Sequence, residues 1–156
     1  MQLNFNQERK PVDLAALRAF LATFPTLPVI TQHNDANRDV WQALRGHPNH
    51  AVLFDASGGN GILPGAWPPP LPELACGYAG GLGPATLYEH LGKISDAAGD
   101  RPTWIDMEGA LRVEDSAGVD RFNLDRCRFC LEVVALRMGS RSDGVETPPS
   151  VVREIA

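Results

Sequence analysis

One acidic residue at the end of an apolar run is the clearest candidate for chemistry in this chain. Asp55 follows the apolar residues 51–54 (AVLF) and precedes a glycine-rich loop, residues 56–61 (ASGGNG). Four apolar residues are too few for a helix and suit a strand that is covered on both faces. At the carboxyl end of such a strand, a shielded aspartate could act as a general acid. The same aspartate could instead cap the amides of its own loop, and both interpretations stay open.

Glycines give two further candidate sites, both suited to an anion. Gly58 and Gly59 allow the loop after Asp55 to fold tightly around a small anion or a sugar. Gly80 and Gly81 belong to a second stretch, residues 79–87 (AGGLGPATL), which predicts a turn leading into a helix. Free N–H groups and the helix dipole favour phosphate at such a point. The structural alternative is that a glycine–proline turn simply begins the helix.

A third cluster is acidic and ends a further apolar run. Asp106 closes residues 103–106 (TWID), and Glu108 and Gly109 follow. Asp106 could orient an amine or a hydroxyl group of a ligand. Two acids would repel a phosphate dianion unless a cation compensates them, and Arg112 is the candidate for that role. A solvated rim of charges explains the same residues.

The apolar runs recur with the rhythm of a repeated strand–helix unit. Strands are predicted to start 26, 23, 23 and 29 residues apart, at Gln2, Pro28, Ala51, Leu74 and Thr103. Helices are predicted over 13–24, from residue 34 or 35 to Gly46, and over 84–94. The last predicted helix starts at Asn123 and turns four residues inward: Leu124, Cys127, Leu131 and Val134. This order predicts an α/β fold with a parallel sheet, either open or closed as a barrel.

Composition excludes several classes of protein. The chain has 156 residues, of which 44% are hydrophobic and 21% charged, as expected for a globular domain. A net charge of −5 without a basic stripe argues against nucleic-acid and membrane-surface binding. Three cysteines form no disulfide framework, which favours a cytoplasmic location. We expect one domain over residues 1–138 and a loose tail over 139–156.

The motifs together resemble phosphoribosylanthranilate isomerase, a (β/α)8 barrel of tryptophan biosynthesis. The matching pieces are the segments QL at 2–3, PVI at 28–30, VLFDASGGNG at 52–61, AGGLGPATL at 79–87 and WIDMEG at 104–109, with Trp67 between the third and the fourth. Their order fits the fourth to eighth units of that barrel, over about residues 1 to 135. The resemblance therefore implies a TIM-barrel-type fold that lacks its first three units.

The resemblance also implies a reaction, an Amadori rearrangement of a phosphoribosyl substrate. Asp55 would take the place of the acid that protonates the ribose ring oxygen, and Gly80 and Gly81 would hold the phosphate. Asp106 would face the anthranilate part. The family's base is a cysteine on the first barrel strand, which has no counterpart here, and Glu108 stands where the family has a serine. We therefore expect weak isomerase activity or none.

The expected partners follow from these motifs. The ligand is a small phosphorylated molecule, bound at Asp55, Gly58, Gly59, Gly80, Gly81, Asp106 and Gly109, without a metal or cofactor. The alternative is a non-catalytic barrel relative that binds an acidic small molecule or a partner subunit. Five strands alone would leave two sheet edges without partners, so we also expect self-association through these edges.

Overall fold

The fold is α/β and is built on a five-stranded parallel sheet. The computed structural model describes residues 1–7, 9 and 11–143, with side chains up to residue 138. The strands are β1 (Gln2–Leu3), β2 (Val29–His33), β3 (His50–Phe54), β4 (Ala75–Tyr78) and β5 (Thr103–Ile105). They lie in chain order and every adjacent pair is parallel. The predicted rhythm of five strand–helix units is thus confirmed.

In the described part of the chain, four helices connect or follow the strands. They are α1 (Leu14–Thr23), α2 (Val40–Ala43), α3 (Leu87–Ala98) and α4 (Leu124–Asp143). Helix α1 begins where the sequence predicts, because the Asp13 carboxylate accepts hydrogen bonds from the amides of Ala15 and Ala16 at 2.9 and 3.0 Å. Helix α2 is a single turn that follows a 3-10 turn, Asp35–Asn37.

The core lies between the sheet and the helices. One cluster joins β3 and β4 to α3 and consists of Val52, Phe54, Trp67, Leu74, Cys76, Tyr78, Leu82, Ile94 and Ala98. A second joins β2 to α1 and α2, and a third joins α3 to α4. Parallel crossovers are right-handed, so an unbroken strand order places the connecting helices on one face of the sheet. The other face carries alternate residues of each strand, among them Gln32 and Leu53.

The sheet is strongly curled. Nε2 of Gln2, on β1, donates to Oδ2 of Asp106, just after β5, over 3.4 Å. These two strands are the outermost in the sheet, and in a flat sheet four strand spacings would separate them by roughly 19 Å. Glutamine and aspartate side chains cannot span that distance. The edges of the sheet therefore bend toward each other around the face that bears Gln2.

Three helix predictions were wrong in their details. In place of the helix predicted from residue 34 or 35 to Gly46, the chain forms the 3-10 turn Asp35–Asn37 and the single turn α2. The helix predicted to end near Ile94 runs through Gly92 to Ala98. A Cβ at Gly92 would lie 2.6 Å from Nη2 of Arg137, so this glycine accommodates a neighbouring helix and does not end its own. In α4 the predicted inward residues Leu124 and Leu131 are exposed, and the buried residues are Phe129, Cys130 and Val133.

A hairpin was missed, and the predicted tail starts inside a helix. Strands β6 (Arg112–Glu114) and β7 (Asp120–Phe122) pair antiparallel between β5 and α4. The backbone of α4 continues to Asp143, so the first five residues of the predicted tail are helical. Residues 144–156 lie outside the described part of the chain.

Candidate functional site

Three loops meet at one edge of the sheet, because parallel strands end on the same side. Asp55 follows β3, residues 79–81 follow β4, and Asp106 follows β5. Backbone hydrogen bonds hold the start of each loop in place. The amides of Asp55, Ala79 and Asp106 donate to carbonyl oxygens at the ends of the neighbouring strands β2, β3 and β4, at 3.1, 2.8 and 2.9 Å. Every site residue predicted from the sequence belongs to one of these three loops.

Asp55 is buried, with 4% of its surface exposed, and it organises its own loop. Oδ1 accepts from the amide and the hydroxyl group of Ser57, at 3.2 and 2.8 Å. Oδ2 accepts from the amide of Gly59 at 2.7 Å and from Nε2 of Gln32 at 2.9 Å. Four donors occupy the four lone-pair sites of the carboxylate. The loop-capping interpretation of Asp55 is therefore realised, and a ligand must displace one of these donors to reach the carboxylate.

The two glycines after Asp55 serve this loop. The amide of Gly58 donates to the carbonyl oxygen of Asp55 at 3.1 Å, and that of Gly59 donates to its carboxylate. Their φ angles of +62° and +93° lie in the region that glycine tolerates best. Their amides are thus engaged and are not offered to an anion.

The turn at residues 80–82 differs, because its amides are not engaged. Gly80 and Gly81 have φ angles of +104° and +66°. Thr86 shapes the turn: its hydroxyl donates to the carbonyl of Gly81 at 2.8 Å and accepts from the amide of Gly83 at 3.1 Å. Among the described residues, the amides of Gly80, Gly81 and Leu82 have no hydrogen-bond partner. Three consecutive unpaired N–H groups in a glycine turn are suited to an anion.

The Asp55 loop folds directly over this turn. A Cβ at Gly80 would lie 2.9 Å from the carbonyl oxygen of Ile62 and 3.3 Å from Oδ1 of Asp55. A Cβ at Gly81 would lie 2.6 Å from the amide nitrogen of Leu63. Only glycine fits at both positions. The two glycine-rich motifs of the sequence therefore form one site.

The third loop closes the other side of the turn. A Cβ at Gly83 would collide with Cβ of Ala110, which belongs to the 3-10 turn Gly109–Leu111. Asp106 points across the curled sheet to Gln2, and a Cβ added at Gly109 would meet no atom within 4 Å. The structure thus brings Asp106 and Gly109 to the same rim as Gly80 and Gly81.

Arg112, the cation that the sequence suggested for the phosphate site, is bound elsewhere. Its guanidinium binds Asp120 at 2.7 Å, lies 4.6 Å from the ring centre of Phe122, and reaches Glu108 at 3.6 Å. These contacts fix it to the hairpin β6–β7. It neutralises part of the charge of Glu108 but is engaged away from the glycine amides.

A cleft of about 380 Å³ adjoins Asp55 on the helix side of the sheet edge. His33, Phe54 and Trp67 contribute rings to its wall, and Arg38 lies at its rim. Burial, with the positive charge of Arg38 as the lesser cause, lowers the pKa of His33 below its usual value. Oδ1 of Asn34, which also lines the cleft, is buried without a partner among the described residues.

The sequence missed the residues that shape this site. Gln32 was not predicted as a site residue, because it reaches Asp55 from a different strand, β2, which runs to His33. Trp67 anchors the segment 64–72, which contains five prolines, since its Nε1 donates to Nδ1 of His90 at 3.0 Å. The hydroxyl of Tyr78 donates to the carbonyl of Pro68 at 2.9 Å. Both contacts join residues far apart in sequence, so no local pattern reveals them.

Comparison of the chain with known family models, curated proteins and solved structures finds no match. Within the described ranges, no group of three or more histidine, cysteine, aspartate or glutamate side chains is arranged to hold a metal ion. No helix in the described part of the chain is long and apolar enough to cross a bilayer.

Proposed function

We propose that the rim formed by the three loops binds the phosphate group of a small phosphosugar, as the resemblance to phosphoribosylanthranilate isomerase implies. The observation that carries this proposal is the turn at residues 80–82, whose amides have no partner among the described residues. Backbone amides in such turns bind anions without any cationic side chain. Asp55 and Gly59 hold the neighbouring loop against this turn, and Asp106 and Gly109 complete the rim.

The architecture supports a barrel-type arrangement of this rim. The strands follow one another in chain order without the reversal that defines a doubly wound sheet. The contact between Gln2 and Asp106 supports a sheet that bends toward closure. Five sequential parallel units are compatible with part of a TIM barrel, and the family resemblance implies that they are the last five of its eight units.

A second proposal is that the rim also catalyses the Amadori rearrangement, with Asp55 as the acid. The observation in its favour is that Oδ1 of Asp55 lies 3.3 Å from the Cβ position of Gly80, within reach of a ligand held by the turn. Against rapid turnover stand the four hydrogen bonds of Asp55, and no described residue is identified with the family's cysteine base. Burial raises the pKa of the Cys76 thiol, and that residue lies in the core on β4, so it does not replace the base.

Phosphate binding is tested by calorimetry with ribose 5-phosphate and ribose. We expect binding that requires the phosphate group. Replacing Gly81 by alanine should weaken it at least roughly 10-fold, because the new Cβ meets the Leu63 amide and the φ of +66° disfavours alanine. Gly65→Ala is the matched control, since nothing lies within 4 Å of the Cβ that it adds.

A charge change gives a test that does not disturb the turn. Glu108→Gln removes a negative charge from the rim and should tighten phosphate binding a few-fold at low salt, whereas Glu89→Gln on α3 should leave it unchanged. The proposal of phosphate binding fails if ribose binds as tightly as ribose 5-phosphate. It also fails if Gly81→Ala and Gly65→Ala bind ribose 5-phosphate with the same affinity.

Turnover is measured separately, with N-(5-phosphoribosyl)anthranilate as substrate. If the wild-type chain converts it, Asp55→Asn should abolish conversion while ribose 5-phosphate still binds. Binding without conversion in the wild type would reject the isomerase proposal and leave the non-catalytic one.

A further inference from the structure

Helix α4 has two apolar faces, and within the described residues only one of them is covered. The covered face packs on α3 and consists of Phe129, Cys130 and Val133. On the opposite face Leu124, Leu131 and Met138 are 78%, 71% and 71% exposed. Large apolar side chains in one exposed row are unusual on a monomer and mark an interaction surface.

The exposed row has the spacing of a coiled-coil seam. Its five positions are separated by four, three, four and three residues: Leu124, Arg128, Leu131, Ala135 and Met138. We call these five residues the α4 seam. This alternation keeps side chains on one stripe of a helix, as at the a and d positions of a heptad. The stripe lies opposite the face that packs on α3, so α4 can bind a second helix without leaving the first.

We propose that the α4 seam binds the α4 seam of a second copy of this chain, with the two helices antiparallel about a twofold axis at Leu131. In this register Leu131 meets its own counterpart. Arg128 lies opposite Ala135 of the second copy, so a long side chain meets a small one. Leu124 lies opposite Met138 at each end. Every position of the seam is thus matched by size, as an isologous interface requires.

The charges in and beside the α4 seam favour a second copy of the chain as the partner and an antiparallel arrangement of the two helices. Within one helix Arg128 reaches Asp125 at 3.2 Å and Glu132 at 3.8 Å, and all three side chains are mostly exposed. A parallel pair would place Arg128 against Arg128 of the second copy, which is repulsive. An antiparallel pair places each Glu132 between Arg128 and Glu132 of the second copy, so that the two Arg128 side chains enclose the two Glu132 side chains about the axis. The seam is therefore complementary to itself in charge as well as in size.

The apolar surface continues from the seam toward the edge of the sheet. Val134 and Met138 also line a groove of about 500 Å³ between α3, α4 and β5. Trp104 and Ile105 of β5 are also among its lining residues, and β5 has no second strand partner among the described residues. This continuity enlarges the area that a second copy can cover, toward the roughly 800 Å² per partner of a stable interface.

The oligomeric state of the full 156-residue chain tests the proposal. Sedimentation equilibrium over a concentration series should show a dimer of twice 16.9 kDa. Leu131→Glu should raise the dissociation constant at least roughly 100-fold, because both copies place the charge on the axis. Leu131 is mostly exposed in the monomer, so the variant should keep its fold, which circular dichroism verifies. Leu136→Glu, off the seam on the same helix, should leave the dimer intact.

A charge exchange tests the direction of the helices. Arg128→Glu and Glu132→Arg should each weaken the dimer, and the double variant should restore it. A monomer at all concentrations overturns the proposal. So does an assembly that Leu131→Glu leaves unchanged, which would instead indicate association through the edges of the sheet, and so does a double variant that fails to restore the dimer.

Discussion

Two buried polar side chains, Thr31 on β2 and His50 on β3, bind each other inside the sheet. Oγ1 of Thr31 and Nε2 of His50 are 2.9 Å apart. The other ring nitrogen of His50 is buried and has no partner among the described residues. Burial, with the charge of His47 as the lesser cause, lowers the pKa of His50 from 6.5 to about 4. The folded chain therefore keeps this histidine neutral where the unfolded chain protonates it.

This lowered pKa predicts a loss of stability on acidification. Between pH 6.5 and about 4, the unfolded state binds a proton at His50 that the folded state does not bind. The free energy of unfolding therefore has its full value, as far as His50 is concerned, above pH 6.5, and it declines as the pH falls below 6.5. At pH 4.5 we expect a loss on the order of 2 to 3 kcal/mol in the free energy of unfolding by urea. His50→Gln should lack this component, and His47→Gln should retain most of it. Equal pH dependence in wild type and His50→Gln would contradict the prediction.

For Asp55, the sequence predicted the position in the fold but not the hydrogen-bond partners. Its place at the end of β3 was predictable, because an apolar run followed by glycines is a local signal. Its partners were not, since Gln32 comes from a different strand. A carboxylate bonded to Ser57, Gly59 and Gln32 is first of all the residue that shapes its loop, and any catalytic role must start from that state.

At the level of elements, β4 and β5 pack so closely that one glycine is required. Gly77 is paired with Trp104, and a Cβ at Gly77 would enter the indole ring. Gly77→Ala should therefore force Trp104 outward and cost about 1 to 3 kcal/mol of unfolding free energy, as overpacked cores do. Tryptophan emission should shift to longer wavelength at the same time.

Gly65→Ala serves as the control, because its Cβ meets no atom within 4 Å. A Gly77→Ala variant with wild-type stability and emission would show that Trp104 can move without loss, which contradicts the prediction.

The same elements show what the sequence could predict. Strands and their spacing were predictable because apolar runs bounded by glycine and proline are local features. The length of α3 was not, since Gly92 is explained by Arg137 of another helix. The buried face of α4 was not predictable either. This helix has apolar residues on two faces, and its neighbour α3 determines which of them is buried.

For the whole molecule, the protection of backbone amides from hydrogen exchange should decrease from the centre of the sheet to its edges. Strand β3 is paired on both sides and buried, whereas β1 and β5 are paired on one side. The hairpin β6–β7 is largely exposed. Hydrogen exchange followed by mass spectrometry should therefore find the slowest amides in peptides covering 50–54 and the fastest in 112–122. Equal protection of β3 and of the hairpin would contradict this order.

The unbroken strand order has a consequence for how such a molecule can be altered. Each strand pairs only with those before and after it in the chain, so no segment is threaded between two others. An engineer could append another strand–helix module beside β1 or β5 without rearranging any existing pair. The molecule is in this respect an expandable scaffold, and lengthening it module by module would reveal at what size its curved sheet first closes into a ring.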